Sequence, residues 1–183
     1  NQQCALPSSC RAAEPVEPIV EAIREARRTG TCLVGDVGNT FATYEPLLDS
    51  TLSAVLFREL LGFSAGDPAA LVRAATEQMA AVTPAAWLRP ALAPHAPYSV
   101  SPALIGAIAR WNAGRPFSMH LGESAQEVQF LRDGTGEWRA LLDRIGAWNA
   151  SWTPPACGPV GYLDRLGLVN ERLLAVHGVQ FTD

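Results

Sequence analysis

The stretch PFSMHLGES, residues 116–124, runs apolar through Phe117 and Met119, reaches His120 and places Glu123 three positions later. A short apolar run bounded by Pro and Gly reads as a strand. A buried strand has no use for an imidazole at its end unless something there needs a nitrogen. The same arrangement recurs along the chain. TCLVGD (31–36) ends at Asp36, with Asn39 just beyond, and LSAVLFRE (52–59) ends at Arg58 and Glu59. RPALAPH (89–95) ends at His95 and RLLAVHG (172–178) at His177. All three histidines of the chain therefore fall at the C-terminal ends of predicted strands.

Helical patterns separate these strands. PVEPIVEAIREARRTG (15–30) spaces Val16, Ile19, Val20 and Ile23 as one helix face, with Gly30 as the stop and Arg24–Arg28 as its solvated basic end. Asp67 and Ser101 each precede a proline and an apolar-periodic run, the pattern of an N-cap. Further helices are expected over 124–133, 136–149 and 159–169, and residues 1–15 read as loop. Trp111, Phe117, Trp138 and Trp148 fall on helix or strand positions and are expected in the core. Each strand is nearly continuous in apolar residues, as a strand buried on both faces should be, so the sheet is expected to be parallel and covered by helices. Two α/β architectures fit, a doubly wound open sheet or part of a (β/α)8 TIM barrel. GDVGNT (35–40) lacks dinucleotide-binding spacing, and its glycines read as turn residues.

In 183 residues, 48% are hydrophobic and the net charge is −4. A chain of this size buries roughly 70% of its unfolded surface, enough for one domain. Its negative balance argues against nucleic acid as a partner, since phosphate binding needs a basic face. Four cysteines, Cys4, Cys10, Cys32 and Cys157, show no metal-ribbon spacing. Cys32 reads as a small core residue, and Cys4 and Cys10 are near enough to pair. Neither a signal peptide nor an apolar run of membrane length is present, so no membrane partner and a cytoplasmic location are expected. No G-x-S-x-G elbow occurs, which removes a serine hydrolase.

In a parallel sheet the strand C-termini form one face, where active sites are built. Three imidazoles and a carboxylate there point to a metal or acid–base site. Neutral imidazole suits Zn²⁺ or Fe²⁺, which activates water, and Glu123 can carry a proton from that water to a leaving group. The bland alternatives are a hydrogen-bonded rim histidine and an exposed first-turn glutamate.

The stretches APHAPYSVSPALI (93–105), SMHLGESAQEVQF (118–130), PVGYLDRLGLV (159–169) and LLAVHGVQFTD (173–183) resemble consecutive signatures of the metal-dependent amidohydrolase superfamily. The resemblance is to its chlorohydrolase and aminohydrolase branch, with S-adenosylhomocysteine and aminodeoxyfutalosine deaminases. GTCLVGDVGNT (30–40) and VLFRELLGF (55–63) are similar to its second and third barrel strands. The resemblance implies His120 and His177 as ligands of a divalent metal, Zn or Fe. It implies Glu123 as proton shuttle to the departing amine, with His177 also orienting the nucleophilic water. It places His95, Tyr98, Arg58 and Glu59 on the substrate side.

The family's first-strand His-x-His pair and eighth-strand aspartate have no counterpart; Asp183 is in the wrong place. A whole barrel needs about 250 residues. The expectation is therefore a fragment of one barrel domain, about strands 2 to 6, with five β/α units over 16–183. Its parent would deaminate a purine-like or other nitrogen heterocycle, a small-molecule substrate, by hydrolysis; a triazine dechlorinase would use the same frame. The fragment alone is expected to be inactive and to self-associate or await a complementing chain. The rival expectations are a non-catalytic α/β ligand-binding domain and a degenerate barrel with a structural role.

Overall fold

The computed structural model describes residues 16–80 and 82–182. The reading of 1–15 as loop and the pairing of Cys4 with Cys10 lie outside these residues. The apolar runs form β1 (Leu33–Gly38), β2 (Ser53–Leu60), β3 (Leu88–Pro94), β4 (Phe117–Leu121) and β5 (Leu173–His177). Between them lie α1 (Val16–Arg28), α2 (Tyr44–Ser50), α3 (Pro68–Met79), α4 (Pro102–Trp111), α5 (Ala125–Asp133), α6 (Glu137–Arg144) and α7 (Pro159–Arg165). All strand pairs are parallel: β1, β2 and β3 in one ladder, β4 and β5 in another. Parallel order with helical crossovers is the expected α/β arrangement, and it aligns the five strand C-termini.

Helix starts follow the sequence signals. The Asp67 carboxylate accepts from Ala70 N at 2.9 Å, and Ser101 Oγ accepts from Leu104 N at 3.2 Å. Leu92, Leu104, Ile105, Ile108, Met119, Leu121, Leu131 and Leu163 pack into one buried cluster. That core joins β3 and β4 to α4, α5 and α7. Phe63, Phe130, Trp148 and Trp152 form a second, aromatic cluster, with Phe130 and Trp152 stacked at 4.7 Å.

The seam between the two ladders has its own device. His120 N donates to His95 O at 2.8 Å, tying the end of β3 to β4. Further back, Leu92 N donates to Asn112 Oδ1 at 3.1 Å and Asn112 Nδ2 donates to Leu92 O at 2.7 Å. The buried Asn112 side chain thus supplies the hydrogen bonds that another strand would make.

Three expectations are corrected. The outer strands β1 and β5 are not buried on both faces: Leu33 is 62% and Leu174 48% exposed, because each is an edge among the described strands. Cys32 is exposed rather than in the core, since it precedes the edge strand β1 instead of lying in a central one. The helix expected over 136–149 ends at Arg144, where Ile145 leaves helical geometry and Gly146 turns left-handed at φ 67°. The short α2 was not foreseen. No helix of the described residues is long and apolar enough to cross a membrane.

Asn112→Ala leaves a buried N–H and a buried C=O of β3 without partners. The expected cost is about 2–4 kcal/mol, read as a lower urea midpoint.

Candidate active site

Four strands deliver polar side chains to one point. Glu59, near the end of β2, is buried and places Oε1 3.3 Å from His120 Nε2. His120 presents its other nitrogen, Nδ1, at 3.1 Å from His177 Nε2. His95, just past β3, lies with its ring centroid 5.0 Å from that of His120, and its Nδ1 bonds Ser99 Oγ at 2.6 Å. His177 ends β5 at φ 80°, a left-handed conformation costly for a residue with a β-carbon. That strain sits where the ring is aimed at His120.

Glu123 approaches from the β4–α5 turn. Tyr98 OH donates to its Oε2 at 2.9 Å, and its Oε1 lies 3.6 Å from His177 Nε2. Tyr98 in turn stacks on Trp138 at 3.8 Å with the planes 6° apart. Burial and the bond to Glu123 push the Tyr98 phenol well above its usual range, so it remains a donor. Burial draws the His95 imidazole below its ordinary value against the pull of the Glu59 charge, and the neighbouring His120 acts in the same downward sense.

Two ring nitrogens at 3.1 Å must share a proton or a cation between them. With Nε2–H of His120 directed at Glu59, its Nδ1 lone pair is left facing His177, the arrangement of a ligand imidazole fixed by an outer carboxylate. Ligands at about 2.0–2.1 Å from a tetrahedral zinc lie about 3.3 Å apart, so this pair suits a metal. Glu59, His95 and His120 form a wider donor group, with one ligand atom from each within 4.8 Å of the others.

The sequence-predicted residues His95, His120, His177, Glu123 and Tyr98 come together here. Arg58 does not. Its guanidinium bonds Glu59 O at 2.8 Å and Gln78 in α3 at 3.3 Å, on the helix side of β2. Strand alternation explains the difference, because adjacent residues face opposite ways and Glu59 takes the inward position. Sequence reasoning also passed over Glu127, which is fully buried behind Glu123. The available signal was the S-x-x-E spacing of Ser124 and Glu127, a capping-box pattern. A cavity of about 1010 Å³ opens beside the cluster, walled by Leu61, Phe63, Trp138 and Ile145 and reaching His95 and Tyr98.

The chain is similar in sequence and in fold to known deaminases. No protein-family model matches the chain. An adenosine deaminase from Xanthomonas campestris, solved with bound zinc, superposes on 96% of this chain and 37% of its own, with TM-score 0.67 and 25% identity. Aminodeoxyfutalosine deaminase of Deinococcus radiodurans is 35% identical over 103 residues, 52% of this chain and 25% of the relative. The 5-methylthioadenosine/S-adenosylhomocysteine deaminase of Pyrococcus furiosus is 31% identical over 96 residues, 50% of this chain and 18% of the relative. The resemblance read from the motifs is borne out in sequence and in fold. The chain spans about a quarter or less of the length of these two curated relatives.

Burial raises the Glu127 carboxyl above its ordinary 4.5, more than its two amide bonds lower it. The folded chain therefore binds this proton more tightly than the unfolded one, and the resulting contribution to stability is complete below the unfolded value and is lost as pH rises through the folded one. The melting temperature of the chain, taken relative to Glu127→Gln, is expected to fall as pH is raised above 4.5. A difference that stays constant or grows contradicts the assignment.

Proposed function

We propose that this chain is strands two to six of a (β/α)8 barrel, a segment of one domain, and that the whole protein is a metal-dependent hydrolase. Its reaction is hydrolytic deamination of a purine-like nitrogen heterocycle. The observation that carries this reading is the facing pair His120 Nδ1 and His177 Nε2 at 3.1 Å, with Glu123 Oε1 3.6 Å from the same His177 nitrogen. Two imidazoles at ligand spacing and a carboxylate beside them make a hydrolytic centre. A rim of unrelated histidines would have no reason to converge.

In this reading His120 and His177 hold the ion, Glu59 fixes the His120 ring, and His95 faces the substrate. When bound, Zn²⁺ or Fe²⁺ supplies a water acidic enough to act as a nucleophile near neutral pH. With the ion in place, Glu123 Oε1 would be positioned to carry a proton to the departing amine, its Oε2 held by the Tyr98 hydroxyl. The neighbouring cavity, whose lining holds Asp67 as its single carboxylate, takes the part of the substrate beyond the reacting ring. The relatives named for aminodeoxyfutalosine and 5-methylthioadenosine support a nucleoside substrate.

The open edges of β1 and β5 fit completion by further strands of the same protein or, failing those, by another chain; alone, this segment is inactive. The free Cys32 and Cys157 accord with a reducing, cytoplasmic setting.

Zinc titration of the chain by calorimetry is expected to give one site, with His120→Ala and His177→Ala each weakening it at least about tenfold, a range set by loss of one ligand. Unchanged affinity in both variants removes the metal centre. In the full-length protein, Glu123→Gln is expected to keep its zinc and lose turnover by about 10²–10⁴ in an ammonia-release assay with 5-methylthioadenosine.

A further inference from the structure

Behind Glu123 lies a buried carboxylate with no part in the chemistry above. Glu127 sits in the first turn of α5 and is 0% exposed. Ser124 caps this helix, its Oγ accepting from Glu127 N at 3.2 Å, so Glu127 occupies the third helical position of a capping box. In the ordinary box that glutamate reaches back to the amide of the cap residue itself. Here it reaches further. Oε1 accepts from Gly122 N and Oε2 from Glu123 N, each at 2.9 Å.

Stability alone does not call for a carboxylate at this position. Taking a charge out of water costs several kcal/mol, and a neutral side chain that filled the space would avoid that cost. Geometry does call for one. Two adjacent N–H donors require two acceptor oxygens side by side. Glutamine offers one oxygen and turns an N–H group toward the second donor. Aspartate has both oxygens but is one methylene shorter.

The held segment is the turn from which Glu123 projects. Gly122 adopts φ 64°, and a β-carbon there would lie 2.6 Å from the Phe181 ring, so a side chain at this position would strain the backbone and push that ring aside. On the far side the turn is secured by the segment after β5, with Gln180 N donating to Gly122 O at 2.8 Å and Gly178 N to Leu121 O at 3.0 Å. Glu127 secures the near side. Between these two anchors the Glu123 carboxylate meets Tyr98 OH at 2.9 Å and His177 Nε2 at 3.6 Å.

We propose that Glu127 is a positioning residue for Glu123: its two oxygens, bonded to the Gly122 and Glu123 amides, fix the turn that aims the Glu123 carboxylate between Tyr98 and His177. This role rests on the reading of Glu123 as the proton carrier. Glu127 touches neither substrate nor metal and acts only through the backbone it holds.

The test compares wild type, Glu127→Gln, Glu127→Asp and Glu123→Gln. In the chain itself, amide hydrogen exchange read by NMR is expected to accelerate at least tenfold at Gly122 and Glu123 in Glu127→Gln, with Leu131 unchanged. Protection that persists at both amides overturns the clamp. In the zinc-loaded full-length protein, with 5-methylthioadenosine as probe, Glu127→Gln is expected to lower kcat about 100-fold, with KM and zinc affinity within threefold of wild type. General loosening of the fold would instead raise KM and weaken zinc binding together, and that pattern overturns the proposal. Glu127→Asp keeps the charge without the reach and is expected to lose kcat as well; it carries the same comparison should the glutamine variant not fold. Full activity in either Glu127 variant, where Glu123→Gln has lost turnover, overturns this inference and leaves the proposed function standing. An inactive wild type or an active Glu123→Gln protein overturns the proposed function, and the positioning role with it.

Discussion

One imidazole joins the strand ends to one another. His120 reaches Glu59 through Nε2 at 3.3 Å and His177 through Nδ1 at 3.1 Å, and its ring stands 5.0 Å from that of His95. These partners come from different strands, and His177 is 57 positions away along the chain. They can meet because the sheet is parallel, so that each crossover helix returns the chain to begin the next strand at the same end. The backbone bond from His120 N to His95 O ties β4 to the end of β3 at this point. Were one strand reversed, its histidine would sit at the opposite end of the sheet.

The surroundings restrict each member of the cluster. Tyr98 is held between Trp138 and Glu123 and keeps its proton, which makes it a fixed donor to the carboxylate. His177 is held at a backbone conformation that a residue with a β-carbon rarely adopts. Glu59 and Glu127 are buried carboxylates, one beside an imidazole and the other on backbone amides. A protein selected for stability alone would replace such groups with apolar ones; here their burial is matched by partners that a catalytic site can use.

The match to a zinc-bound deaminase covers nearly all of this chain and just over a third of that enzyme. This chain carries its histidines at the ends of its parallel strands. It also leaves β1 and β5 as open edges, with Leu33 and Leu174 in water. The faces of parallel sheets are covered in α/β proteins, and the exposure of these two outer strands supports the proposed reading of the chain as a segment of a larger sheet.

Much of this could be read along the chain. Periodicity placed β2 at 52–59, against Ser53–Leu60 in the structure, and the caps Asp67 and Ser101 start helices as their hydrogen-bonding chemistry requires. The histidines could be assigned to strand ends because a strand's end is a local property. Other features were not legible, because they depend on what lies across space. Neighbouring residues Arg58 and Glu59 look equally available in sequence, yet the pleat sends one to α3 and the other to His120. Glu127 carries a capping-box signature, but its bonds to Gly122 and Glu123 arise only once the turn has closed. Cys32 resembled a core residue until the sheet order made β1 an edge. Sequence by itself determined the five strands, most of the helices and the chemistry at the strand ends, since hydrophobic period and capping act within a few residues. Tertiary structure alone decided which side chains meet, since facing and burial are set by neighbours distant in the chain.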